Sequence, residues 1–375
     1  MMKFPVLTLD EYISKFPEKV ERIDVLPARR QPVARPFCFS GTTDLQAQNT
    51  YFPESLDIPA LDIVTLRNAT VVGAGLVITE DGFALLCHET LPLMHLGGIG
   101  RVSAKFNREE RTLSFERPIE IESHIKKTAA LLGRPGTAVY FHLMIDILPR
   151  LYALEIAKEY PDTLLLLHNT PAYFRNLLAQ ATAYGQDKHT LYTGQKGIKV
   201  DRLIVPRLLF RMDHWVYPEL SLYLRKIGER LIGKSDFGTL PRKIYSIRRE
   251  MKSDRRRMLN ANAIAQVMED AGFVEIPSGK LSMAQQAAVF MNADCLAMSI
   301  GGHNANIAFV KPGAKVLYTF ADYDFNYTAP SYLAIGAGAD CGFTFGAALL
   351  NPHRRQHVEF LAHVDATKEA LKWMA

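Results

Sequence analysis

Hydrophobic and polar positions change their spacing along this chain, and those changes predict its elements. Residues 1 to about 36 mix proline, charge and isolated apolar positions, which reads as an arm holding one short helix near Leu9 to Phe16. Between Ala69 and Leu86, β-branched and apolar residues alternate across Gly73-Ala-Gly75 and Asp81-Gly82, the punctuation of a β-hairpin or meander. From Tyr140 the pattern becomes a series of short apolar runs and helix-period stretches. Helical periodicity covers Tyr140 to Lys158 with Pro149 inside it, Thr163 to His168 is a buried strand, Ala172 to Ala183 a helix, and Val200 to Val205 a strand. A long amphipathic helix over Tyr217 to Ile232 and a polar stretch from Gly233 to Pro241 separate this series from a second. In the second, Lys243 to Ile247, Phe273 to Ile276, Cys295 to Ile300 and Val316 to Phe320 are strands, with helices at Ala261 to Ala271 and Met283 to Ala293.

Strands and helices alternating at these lengths predict an α/β protein with mostly parallel, doubly wound sheets. Two such series predict two Rossmann-like lobes with a ligand cleft at their strand ends. The expected organisation is an N-terminal arm and β-rich segment over 1–135, one lobe over 136–233, a second over 240–350, and a C-terminal helix over 351–375.

The segment from Cys295 to Phe320 carries the strongest local signal. A short apolar run stops at Gly301-Gly-His-Asn-Ala-Asn306, one apolar turn follows, and Lys311-Pro-Gly313 leads into a second run. A buried strand delivering a Gly-Gly turn into a helix start presents backbone N–H groups to an anion, because the first helical amides lack intrahelical partners. The plain reading of the same residues is a tight strand-to-helix turn that needs glycine and no ligand.

Composition narrows the class. At 375 residues with 48% hydrophobic and 22% charged positions, the chain has enough apolar material for two cores. No run approaches the roughly 18 consecutive apolar residues of a membrane span. The N-terminus lacks the basic start, apolar run and cleavage site of a signal peptide, so a cytoplasmic chain is expected. Cys38, Cys87, Cys295 and Cys341 are widely scattered and suggest neither a zinc knuckle nor a disulfide framework.

The net charge of +5 is mild, yet Arg248-Arg249, Lys252 and Arg255-Arg-Arg257 crowd into ten positions. Such a cluster suits nucleic acid, an anionic membrane surface or a phosphorylated small molecule, or it is a solvated loop. No aromatic lies between Arg248 and Asn260, which argues against single-stranded nucleic acid. Because the cluster follows a strand and precedes a helix, it falls at the ligand-binding edge of an α/β sheet, where guanidinium forks match phosphate oxygens.

His142 and Asp146 are four apart in Tyr140-Phe-His-Leu-Met-Ile-Asp-Ile-Leu-Pro-Arg150, which places imidazole and carboxylate on one helix face. That pair suits a general base for a hydroxyl proton, and it equally suits an ordinary polar pair on an amphipathic helix. His353 and His357 share the spacing but have no carboxylate or Cys pair nearby, so a zinc site is not expected. The Walker A, HExxH and GxSxG patterns are absent.

Taken together, the helix around His142 and Asp146, the strand Lys243-Ile-Tyr-Ser-Ile-Arg-Arg249 with Arg255-Arg-Arg-Met-Leu-Asn260, and the stretch from Leu281 through Gly301 to Asn306 and Pro312-Gly313 resemble glycosyltransferase family 61. The resemblance covers about residues 135 to 340 in the same order. It implies a GT-B-like enzyme that moves a sugar with inversion from a nucleotide-sugar donor to a hydroxyl of a glycan or lipid-linked acceptor, with no cofactor and no obligatory metal. It implies Asp146 as the preferred base with His142 beside it, and Arg248, Arg249, Arg257, Gly301, Gly302, His303, Asn304 and Asn306 on the donor. It also implies bacterial surface polysaccharide synthesis, with possible peripheral contact at the inner membrane.

The chain departs from the family's turn, which reads close to His-Gly-Ala-Gly-Leu-Thr-Asn, in having Ile300-Gly-Gly-His-Asn-Ala-Asn306. The strand after the turn also lacks the family's terminal acidic residue, for which Asp322 or Asp324 could substitute. Two rival readings stand beside this one. A coenzyme A acyltransferase would use the same His142-x-x-x-Asp146 with Asp236-Phe-Gly238, but Ile147 and the missing Trp-Gly continuation depart from that pattern. The other is a non-catalytic carbohydrate- or nucleotide-binding protein.

Overall fold

The computed structural model describes residues 2–39, 53–87, 104–134, 136–157, 162–194, 196–212, 214–247, 257–322, 328–349 and 359–375. The chain divides into two compact units, one formed by Met1–Ala28 with Pro59–Leu208 and the other by Arg29–Ile58 with Leu209–Ala375. The fold is mixed α/β in both.

The first unit is built on one large mixed sheet. Its parallel part places the strands His189–Tyr192, Leu164–His168, Ile121–Leu131 and Gly197–Pro206 side by side in that order. Numbered along the chain, that order is 3-2-1-4. The sheet continues antiparallel through Leu61–Val72, Leu76–Ile78 and Ala84–Leu86, as the alternation from Ala69 to Leu86 predicts. The N-terminus is not an arm. Met2–Thr8 pairs with Ala84–Leu86 and with Thr112–Phe115, because Phe4 and Val6 bury their side chains among Val72, Leu76 and Leu113. The short helix Leu9–Lys15 follows, closed by a capping box in which Thr8 and Glu11 satisfy each other's backbone N–H groups. The Arg111 guanidinium and the Thr8 amide hold the Glu11 carboxyl down at about 2.

In the second unit Val274–Glu275, Lys243–Ser246, Cys295–Ser299, Lys315–Ala321 and Asp340–Leu349 form a parallel sheet, with Glu359–Ala362 antiparallel at its edge. Along the chain this order is 2-1-3-4-5. Such a sheet changes direction between its first and third strands, and the crevice at their carboxyl ends is the usual ligand position. The central strands Cys295–Ser299 and Lys315–Ala321 are buried almost throughout, as strands covered on both faces are. Ala261–Asp270 and Val364–Met374 share one core cluster with Tyr245, Ala297 and Leu317. Pro218–Ile232, Met283–Asn292, Gly302–Phe309 and Thr328–Ala337 pack together as a second helical layer.

Two pairs of buried hydroxyls in this unit satisfy each other. Tyr318 is hydrogen-bonded to the Ser331 hydroxyl at 2.6 Å, and Thr319 to Thr344 at 2.8 Å. Among the described residues, no helix is long and apolar enough to cross a membrane.

Candidate active site

In the first unit, the candidate chemistry gathers where Ile121–Leu131 leaves the sheet. The chain runs from Leu132 into Gly133-Arg134 and re-enters regular structure at Tyr140. The expected helix is not a uniform α-helix. His142–Ile147 is a wide π turn, Leu148–Arg150 is a tight 3₁₀ turn, and Leu151–Ala157 is α-helical. Pro149 explains the change: it has no N–H to donate, and its ring would clash with the carbonyl four residues earlier in a regular α-helix. The Leu148 N–H instead reaches back to the Leu143 carbonyl, five residues away. Wide turns of this kind are common at functional sites.

The turn sets His142 and Asp146 against each other. The His142 Nδ1 lies 2.7 Å from Asp146 Oδ2, and the same oxygen accepts from the Arg134 guanidinium. Asp146 is buried, with 6% of its side chain exposed, whereas a third of the His142 side chain, 33%, is exposed. A buried carboxylate without a cation would be costly, so Arg134 is the group that lets Asp146 sit inside.

Glycines on either side of Arg134 make room. A side-chain carbon on Gly133 would come within 2.1 Å of the Tyr192 hydroxyl, and one on Gly136 within 3.0 Å of the His142 ring. Gly136 also has φ +82, a left-handed conformation that L side chains rarely adopt.

His168 stands beside this centre at the end of Leu164–His168, 8% exposed, its Nε2 3.1 Å from the Thr193 carbonyl. Burial pushes its pKa below the ordinary histidine value. Neither Arg134 nor His168 was among the residues singled out from the sequence. The signal for Arg134 was the Gly133-Arg-Pro-Gly136 punctuation directly after an apolar run, the position where an α/β sheet presents ligand contacts.

In the second unit, the Gly301 to Asn306 turn follows Cys295–Ser299, the third strand, at the point where the sheet order reverses. The helix it opens, Gly302–Phe309, is 3₁₀ rather than α. Asn304 is buried and ties the turn together. Its Oδ1 accepts from the Gly301 N–H at 2.6 Å, and its Nδ2 donates to the Ser299 carbonyl at 3.2 Å. Asn306 is fully buried and donates to Gln286 Oε1 at 3.0 Å. Gly302 and His303 are half-buried.

Arg248 and Arg249 lie outside the described residues, as do Asp324, His353 and His357. Arg257 is described and forms an ion pair with Glu359 at 2.7 Å. Asp322 accepts from the Ala348 N–H through Oδ1 at 3.0 Å. Among the described residues, no group of three or more His, Cys, Asp or Glu side chains is placed to hold a metal ion.

A His–Asp pair after a parallel strand in one unit and a glycine turn after a parallel strand in the other give an α/β protein whose candidate residues lie at strand ends. A family model described as Glycosyltransferase 61 matches residues 140–317, a segment that contains both the His142–Asp146 pair and the Gly301 to Asn306 turn. The resemblance read from the sequence holds over that segment: residues 140–317 are similar to glycosyltransferase family 61, and the chain is a glycosyltransferase. No curated protein sequence matches the chain.

Proposed function

We propose that this glycosyltransferase acts with inversion, moving a sugar from a nucleotide-sugar donor to a hydroxyl of a glycan or lipid-linked acceptor. The observation that carries this reading is the hydrogen-bonded His142–Asp146 pair inside the family 61 segment. Inversion in one displacement needs a base on the acceptor hydroxyl and positive groups on the departing diphosphate. The pair supplies the first. Arg248, Arg249, Arg257 and the backbone of Gly301 to Asn306, at the reversal point of the second sheet, supply the second. Arg257 is suited to that role because its ion pair with Glu359 is half exposed, and exposed pairs are worth only about 0–1 kcal/mol, so it exchanges readily for a phosphate. Asn304 takes up the Gly301 N–H and so fixes the turn from within, which holds the rest of its backbone in one arrangement.

In this reading the protein is GT-B-like, the residues from 136 to 233 handle the acceptor, and those from 240 to 350 handle the donor. Neither a cofactor nor an obligatory metal takes part. The pathway is bacterial surface polysaccharide synthesis, with the chain in the cytoplasm and peripheral contact at the inner membrane.

The test is a panel of nucleotide sugars assayed by thermal shift, followed by nucleotide release. At least one donor raises the unfolding temperature of the wild type. Asp146→Ala lowers turnover roughly 100- to 10,000-fold, the usual weight of general base catalysis. Arg248→Ala raises the donor requirement. A protein stabilised by no nucleotide sugar, or an Asp146→Ala variant with wild-type turnover, overturns the proposal.

A further inference from the structure

We propose that His142, through Nε2, is the atom that takes the proton from the acceptor hydroxyl, and that Arg134 and Asp146 act behind it as positioning residues. This deepens the preceding reading and rests on it. The geometry separates the two candidate bases. Asp146 has 6% of its side chain exposed and already accepts through Oδ2 from Arg134 and from the His142 side, so it has little surface to offer an acceptor. His142 has 33% of its side chain exposed.

The tautomer follows from donor and acceptor chemistry. A guanidinium has only N–H groups, so the Asp146 oxygen facing it accepts. The same oxygen accepts from His142 Nδ1, which therefore carries the ring proton. In the neutral ring Nε2 is then left with a lone pair, and among the described residues it has no hydrogen-bond partner. The ring edge carrying Nε2 runs along Gly136, where a β-carbon would stand 3.5 Å from that nitrogen. Without a side chain there, the edge stays open.

In the transfer step, the acceptor oxygen forms its bond to the anomeric carbon while its proton passes to Nε2. The bond from the anomeric carbon to the diphosphate oxygen breaks, and its electron pair leaves with the nucleotide diphosphate. The imidazolium formed is stabilised by Asp146, and its proton returns to water after release. Arg134 touches neither substrate. It holds Asp146 in the one position from which Nδ1 is kept protonated.

The experiment combines ¹⁵N NMR of histidine-labelled full-length protein with steady-state kinetics. The expected wild-type spectrum shows His142 neutral with Nδ1 protonated and Nε2 bare. Arg134→Gln converts it to a mixture of tautomers and lowers kcat about tenfold or more with little change in acceptor KM, and Arg134→Lys restores part of both. His142→Gln lowers kcat roughly 100-fold or more.

A wild-type His142 protonated on Nε2, or a His142→Gln variant with near wild-type kcat, overturns the inference. Because the wild-type spectrum needs no variant, poor folding of Arg134→Gln leaves the test intact. If the tautomer is as expected but no nucleotide sugar supports transfer, the donor assignment falls while the positioning of His142 is upheld.

Discussion

Individual residues in the first unit are constrained by how little space surrounds the His142–Asp146–Arg134 chain. Gly133 shows this best. An added β-carbon would meet the Tyr192 hydroxyl at 2.1 Å, the Tyr192 ring at 3.1 Å and His168 Cβ at 3.1 Å. Tyr192 is 4% exposed, so the ring has little room to swing. Gly133→Ala should therefore cost about 1–3 kcal/mol, the usual price of overpacking. Tyr192→Phe removes the nearest atom but leaves the ring edge, so the double variant Gly133→Ala/Tyr192→Phe should recover part of the loss. Urea unfolding midpoints of the two single variants and the double variant measure this. Strictly additive losses would show that the predicted contact does not set the cost.

At the scale of elements, the π turn over His142–Ile147 is the device that aims the site. Pro149 opens it, and replacing that residue returns an N–H donor and removes the ring clash, so Pro149→Ala should let the segment regularise toward an α-helix. The unfolding temperature should hold or rise while turnover drops about a hundredfold, because a displacement near 1 Å at a reacting group costs that much. A variant with unchanged turnover would show that the wide turn does not matter to the chemistry.

The element scale also explains what could be read from the chain. Thr163 to His168 and Cys295 to Ile300 were legible because both are apolar runs buried along most of their length. Ile121–Leu131 was not, since its first half presents Glu122, His124, Lys126 and Lys127 to solvent and only Ala129 to Leu131 are buried. Long-range pairing with Leu164–His168 and Gly197–Pro206 makes it a strand. The His142–Asp146 pair was legible because one helical segment carries both. Arg134 was hidden, since its bond to Asp146 depends on where a Gly-Arg-Pro-Gly turn folds, which no periodicity encodes.

For the whole molecule, order along the chain and membership of a unit do not coincide. Residues 29–58 are bracketed by first-unit sequence but belong to the second unit. Phe37–Cys38 adds a parallel strand beside Asp340–Leu349. Phe37 and Phe39 lie 5.0 and 5.5 Å from the Trp373 ring, close enough for aromatic contact. Gly342 lets the two aromatic groups approach, since a β-carbon there would be 2.9 Å from both Phe39 and Trp373. The antiparallel pair of Arg29–Pro32 with Ser55–Ile58 buries Leu56 and Ile58, and Arg29 forms a two-pronged ion pair with Glu219 at the start of the Pro218–Ile232 helix. An acidic residue at a helix start is favourable by itself, and Arg29 fixes its position. A fragment of residues 209–375 therefore lacks an edge strand and part of its aromatic cover, and should be less stable and less soluble than the same residues in the intact chain. A peptide of residues 29–58 added in trans should raise its unfolding temperature, and Phe39→Ala in the peptide should weaken that binding roughly tenfold, about 1.4 kcal/mol. A fragment that unfolds at the same temperature with and without the peptide would show that the second unit is complete from residue 209 onward and that the early segment only rests on it.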